Sequence, residues 1–127
     1  MKNLALVKKY AAGLSRALED EREFASVGAD VRAFLEIFLS NRDLRRALVS
    51  PFINARRREA VLAGVLSRSG TGPKASRFLT LLQHHKRMEL LPDIVEALPE
   101  AWSEKQGIVT YEVASAVRDM HIEEERF

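Results

Sequence analysis

Cysteine is absent from this chain of 127 residues. That excludes a disulfide framework, a thiolate metal site and a cysteine nucleophile, and it fits an intracellular setting. An excess of one charge is lacking too: 20 basic residues face 18 acidic ones, for a net of +2. Overall charge therefore gives no argument for a nucleic-acid partner. No apolar run approaches the roughly 18 residues that a membrane-spanning helix needs. The start, MKNLALVKKY, has one weak apolar patch between lysines and no small-residue cleavage site, so a signal peptide is not expected. Glycine is sparse, and the one glycine-rich stretch, SGTGP (Ser69–Pro73), lacks the preceding strand and the lysine–hydroxyl pair of a phosphate loop. Carboxylates are scattered, as at Glu19–Glu23 and Glu123–Glu125, with no pair set for acid–base work. The hydroxyls, Ser15 and Ser67 among them, lack the surroundings of a nucleophile. Catalysis is not expected.

What the sequence has in quantity is helical periodicity, from Lys2 to about Lys105. A first helix runs to about Leu18. A second spans about Glu21 to Ser40, with Val27, Val31, Phe34, Leu35 and Phe38 on one face. Asn41 is placed to cap a short helix, RDLRRAL, which Ser50-Pro51 ends. Asn54 caps a helix carrying Val61, Leu62, Val65 and Leu66. After SGTGP come a helix from Pro73 to about His85 and another from about Leu91 to Lys105. Pro92 suits the first turn of the last helix, whereas Pro99 predicts a kink or a break. IVTYEV (Ile108–Val113) has strand-like composition, and MHIEEERF (Met120–Phe127) is polar and expected to fray. The fold class is therefore all-α, a six-helix bundle over residues 1–106, followed by a strand-like or disordered tail over residues 107–127.

The first helix carries more apolar surface than one core needs. At about 100° per residue, Leu4, Val7, Ala11, Leu14 and Leu18 form one stripe. Leu6, Tyr10, Gly13 and Ala17 form a second beside it, mostly small residues around one aromatic ring. In RFLTLLQHH (Arg77–His85), Phe78, Leu79, Leu81 and Leu82 also spread over a wide arc. Two readings fit. Both helices are central and covered by their own neighbours, or together they line a groove for an amphipathic helix of another chain.

Other features point to less. Adjacent His84 and His85 diverge by about 100° and cannot share one metal ion from one face. One is expected toward the groove side and the other toward water. Six arginines lie between Arg42 and Arg58, at 42, 45, 46, 56, 57 and 58, with only Asp43 among them. They suit a solvated face, or, as an alternative function, a helical module that binds nucleic acid. Phe52 is the one aromatic residue among them, so there is no aromatic interleaving for base stacking. Trp102 is expected as a core aromatic near the end of the bundle, or as a contact to a further domain.

Four stretches in this order and spacing resemble a known family. They are KKYAAGLSRAL (Lys8–Leu18), NRDLRRALVSPFINARRREAVL (Asn41–Leu62), FLTLLQHHKRMELLPDIVEAL (Phe78–Leu98) and EKQGIVTYEVASAV (Glu104–Val117). They resemble the δ subunit of bacterial and chloroplast ATP synthase, the counterpart of the mitochondrial oligomycin-sensitivity-conferring protein. The resemblance implies a non-catalytic peripheral-stalk subunit without a cofactor or metal. It implies a six-helix bundle that binds the N-terminal helix of an α subunit between its first and fifth helices. It further implies a C-terminal domain bound to the b-subunit stalk, so that the catalytic head does not turn with the rotor during proton-driven ATP synthesis. The setting implied is the cytoplasmic face of a bacterial inner membrane, peripheral to it, with no nucleic-acid partner. Carried onto this sequence, the groove is lined by Tyr10, Gly13, Leu14 and Ala17 and by Phe78, Leu81, Leu82 and His85. The sequence departs from the family pattern at Gly13, where alanine is frequent, and at Pro99. It is also expected to lack most of the C-terminal domain, with residues 107–127 as the crossing into it.

Overall fold

The helix starts follow from short polar side chains placed just ahead of apolar periodicity. Asp20 Oδ1 accepts from the Glu23 N–H at 2.9 Å, Asn41 Oδ1 from Leu44 at 3.0 Å and Asn54 Oδ1 from Arg57 at 2.8 Å. Each satisfies one of the N–H groups that the first turn leaves without a partner. In the computed structural model, which describes the backbone of residues 3–121 and the side chains of residues 3–107, these caps open α2 (Glu21–Ser40), α3 (Arg42–Val49) and α4 (Ala55–Arg68). The remaining helices are α1 (Leu4–Ala17), α5 (Pro73–His84) and α6 (Leu91–His121), with a 3-10 turn, Met88–Leu90, ahead of α6. Among the described residues there is no strand, and the architecture is the expected six-helix bundle.

Two helix ends have left-handed residues that turn the chain back. Gly70 at φ 67° ends α4: its N–H reaches the Ser67 carbonyl, and that of Thr71 reaches Leu66. Lys86 at φ 60° ends α5 in the same way, with its own N–H on Gln83 and that of Arg87 on Leu82. Both are Schellman closures. Gly72 then starts α5, its N–H held by Asp30 Oδ2 of α2 at 3.0 Å.

The core is the common product of the inward stripes. Phe34, Leu62, Leu79, Leu82, Leu91 and Ile94 are sealed from water. α1 lies along α6, α2 packs on α6 and α5, and α4 packs on α3 and α5. Gln83, buried on α5, donates through Nε2 to the Leu48 carbonyl at 3.0 Å and so satisfies an otherwise unpartnered group in the last turn of α3. Trp102 belongs to this core, 5% exposed and stacked on Phe24 with ring centroids 4.8 Å apart.

Two expectations are corrected. The strand over Ile108–Val113 does not form; α6 continues through it to His121. A strand there has no partner strand, while each residue added to an existing helix gains a backbone hydrogen bond without a new nucleation cost. Of the kink or break expected at Pro99, the break does not occur, and α6 runs through it. Pro99 is exposed, and the carbonyl that loses its N–H partner is that of Val95, one turn back. Of the polar ending, Met120 and His121 are helical and residues 122–127 lie outside the described residues.

Candidate functional site

α1 buries only one of its two apolar stripes. Val7, Ala11, Leu14 and Leu18 are buried, Leu4 at the helix start is exposed, and α6 is the helix on which α1 packs most closely. The second stripe, Leu6, Tyr10, Gly13 and Ala17, has no helix over it among the described residues and opens into a groove of about 510 Å³. α1 contributes Leu6, Lys9, Tyr10, Gly13, Leu14 and Ala17 to the lining, α5 contributes Lys74, Arg77, Phe78 and Leu81, and His85 just past the end of α5 completes it. From Leu6 to Ala17 the groove follows about three turns of helix, roughly 16 Å.

Two hydrogen bonds link the banks and show that α1 and α5 run antiparallel. At one end the Tyr10 hydroxyl meets His85 Nδ1 at 2.8 Å. At the other, Lys74 Nζ donates to the Ala17 carbonyl at 2.7 Å and pairs with Glu23 Oε2 at 2.8 Å. Lys105 Nζ donates to the carbonyls of Ser15 and Leu18. Lysines from α5 and α6 therefore satisfy the negative end of α1 and fix the bank at that end.

Seven of the eight residues expected in the groove line it: Tyr10, Gly13, Leu14, Ala17, Phe78, Leu81 and His85. Leu82 does not. It is fully buried, with no exposed surface, whereas Leu81 is 46% exposed. Successive helical residues point about 100° apart, so Leu82 turns with Leu79 and Ala75 into the core while Leu81 stays with Phe78 and His85. Sequence reasoning missed Leu6 as a lining residue, although it lay on the second stripe, and it missed all three cations of the rim, Lys9, Lys74 and Arg77. The histidines divide as expected: His85 faces the groove, and His84 is exposed, 3.7 Å from Glu59.

Glycine at position 13 leaves the groove floor open, since a Cβ added there meets no heavy atom within 4 Å. Gly13→Ala is expected to raise the stability of the bundle by up to about 1 kcal/mol through helix propensity alone. Urea unfolding checks this, and a loss of stability would contradict the open floor.

The Glu23 carboxylate ties this region to pH. The Lys74 ammonium, then the Glu19 N–H at 2.7 Å, hold its pKa below the ordinary carboxylate range. A depressed pKa contributes stability that is fully present above the unfolded value of about 4.3 and is lost as pH falls through the folded one. The gap in melting temperature between the native chain and Glu23→Gln should therefore close as pH drops below that range. A gap that is constant from neutral pH to pH 2 would contradict the pairing.

The arginine surface is less continuous than its sequence. Arg45 is turned back onto the Phe38 and Leu39 carbonyls at the end of α2. Arg58 is only 8% exposed. Arg42, Arg46, Arg56 and Arg57 remain exposed. Among the described residues no three His, Asp or Glu side chains cluster as metal ligands, and no helix is long and apolar enough to cross a membrane.

Comparison with known proteins agrees with this architecture. The profile of the ATP synthase delta (OSCP) subunit family matches residues 6–124. A protein of Methylobacterium radiotolerans named ATP synthase subunit delta is 33% identical over 118 residues, 91% of this chain and 62% of the relative. Proteins of the same name from Pelodictyon phaeoclathratiforme and Chlorobium phaeovibrioides are 30% and 33% identical over 116 residues, again 91% of this chain, and 65% and 64% of the relatives. This chain thus spans less than two thirds of the length of each. No solved structure gives a significant match. A family profile that covers nearly the whole chain, together with relatives matched along nine tenths of it, shows that the chain belongs to the ATP synthase delta (OSCP) subunit family.

Proposed function

We propose that this chain is the head-binding part of a delta subunit in an F-type ATP synthase, a non-catalytic joint between the catalytic head and the peripheral stalk. An amphipathic helix at the N-terminus of an α subunit docks in the groove between α1 and α5. The b-subunit stalk is held by a C-terminal domain, for which the extra length of the relatives leaves room. The assembly is peripheral to the cytoplasmic face of a bacterial inner membrane and serves proton-driven ATP synthesis.

The observation that carries this reading is the apolar stripe Leu6, Tyr10, Gly13, Ala17, left uncovered opposite Phe78 and Leu81 in a chain of this family. Small residues admit a close helix backbone, and Tyr10 and Phe78 supply aromatic contact area. The joint has to hold against rotor torque, and a nanomolar affinity corresponds to about 12 kcal/mol. Several aliphatic and aromatic side chains, each worth roughly 1.5–3 kcal/mol on burial, supply that after the costs of association.

Calorimetry with a peptide from the α-subunit N-terminus of the same organism tests the reading. Binding is expected to the native chain, and Tyr10→Asp should weaken it at least tenfold while the helical circular dichroism stays unchanged. Equal affinity for both forms would remove the groove from the account.

A further inference from the structure

Resting on the reading that the α1/α5 groove takes a helix, we propose that the helix it takes has an apolar stripe flanked on both margins by acidic side chains. The floor of the groove is apolar, and every charged side chain in its lining is basic: Lys9, Lys74 and Arg77. Lys74 is already committed to Glu23 and to the Ala17 carbonyl. Lys9 and Arg77 are exposed and have no ion-pair partner among the described residues.

These two cations stand on opposite banks. Lys9 precedes Tyr10 on α1, and Arg77 precedes Phe78 on α5. Because Tyr10 meets His85 and Ala17 meets Lys74, the banks are antiparallel and the two cations are diagonal across the groove. At about 1.5 Å per residue their separation along the groove is roughly 10 Å, or about two helical turns. A helix lying along the floor turns one margin to Lys9 and the other to Arg77. An acid on each margin, roughly two turns apart, pairs with both.

The far side of α1 has the opposite sign. A smaller cleft between α1 and α6, about 220 Å³, is edged by Asp93, Glu96, Glu100 and Glu104 with Lys8 as its one cation. An acid-flanked helix is repelled there and attracted to the α5 side, so charge selects between the two faces of one helix. A second copy of this chain is a poor occupant, since groove against groove would set one basic rim against another.

The test uses the full 127-residue chain and three synthetic helical peptides of about 20 residues, long enough to hold a helix. They share one apolar stripe and carry Glu, Gln or Lys on its margins. Calorimetry at about 0.05 M NaCl should rank them Glu, Gln, Lys, with about tenfold between the extremes, and at about 0.5 M the spread should shrink to threefold or less. The double variant Lys9→Glu/Arg77→Glu should invert the order, and its two exposed sites leave the melting curve as a check on folding. Leu81→Ala, which removes apolar contact without changing charge, should weaken all three peptides alike. Three equal affinities, or the Lys peptide tightest on the native chain, would overturn the charge proposal and leave the groove standing. No binding by any peptide, or binding indifferent to Leu81→Ala, would overturn both.

Discussion

Replacing Leu82 by aspartate is expected to unfold the bundle, whereas replacing its neighbour Leu81 by aspartate leaves it folded and unable to dock a helix. Leu82 has no exposed surface, and Leu81 is 46% exposed on the groove. A carboxylate at position 82 is fully enclosed and must be desolvated or neutralised. The expected cost exceeds about 4 kcal/mol, a large share of the 5–15 kcal/mol that a domain of this size commands. At position 81 the carboxylate stays in water, and stability should move by no more than about 0.5 kcal/mol. Binding of the proposed α-subunit helix should weaken at least tenfold, because a leucine worth roughly 1.5–3 kcal/mol on burial is lost and a charge is desolvated in its place. Thermal melts and calorimetry on the two variants read both effects. A folded Leu82→Asp, or a Leu81→Asp that binds as the native chain does, would show that the two faces of α5 are wrongly assigned.

Phe34→Ala should cost about 3–5 kcal/mol. Phe34 is 1% exposed on α2 and stacks on Phe38 with centroids 6.3 Å apart. α2 is the helix that packs on both α5 and α6, so a cavity at Phe34 opens at the centre of the bundle rather than at its edge. Urea unfolding should give a lower midpoint with an unchanged slope. A loss below about 1.5 kcal/mol would mean that the surrounding helices collapse onto the vacancy. Peptide binding should survive this change under native conditions, since Phe34 is not among the residues lining the groove. The pair of experiments therefore separates the stability of the fold from its use.

Some of the groove was legible residue by residue. Tyr10, Gly13 and Ala17 fall on a stripe that periodicity alone marks as surplus, and the family resemblance assigned them a partner. Leu82 was misplaced because an arc of four apolar residues in five, from Phe78 to Leu82, does not say where the core stops. The boundary is set by how α5 is rotated against α2 and α4, and that rotation depends on side chains far away in the sequence. The basic rim was missed for a related reason. Lys9, Lys74 and Arg77 are ordinary exposed cations until two helices 56 residues apart, by the gap from Ala17 to Pro73, lie side by side.

The same division holds for the fold. Helix starts at Glu21, Arg42 and Ala55 and the stop before Pro51 were determined by the sequence itself, because a cap or a proline acts through groups within one turn of chain. The fate of Ile108–Val113 was not, since β-branched residues favour a strand only when a neighbouring strand exists, and here they extend α6. Only the tertiary structure decided where the long cations end: Lys74 and Lys105 on the last carbonyls of α1, and Arg45 on those of α2. Their side chains bridge elements whose meeting no local pattern encodes. The open furrow itself is of this second kind. Its apolar stripe is written in α1, but its being uncovered depends on α1 choosing α6 as its neighbour and leaving α5 across a gap.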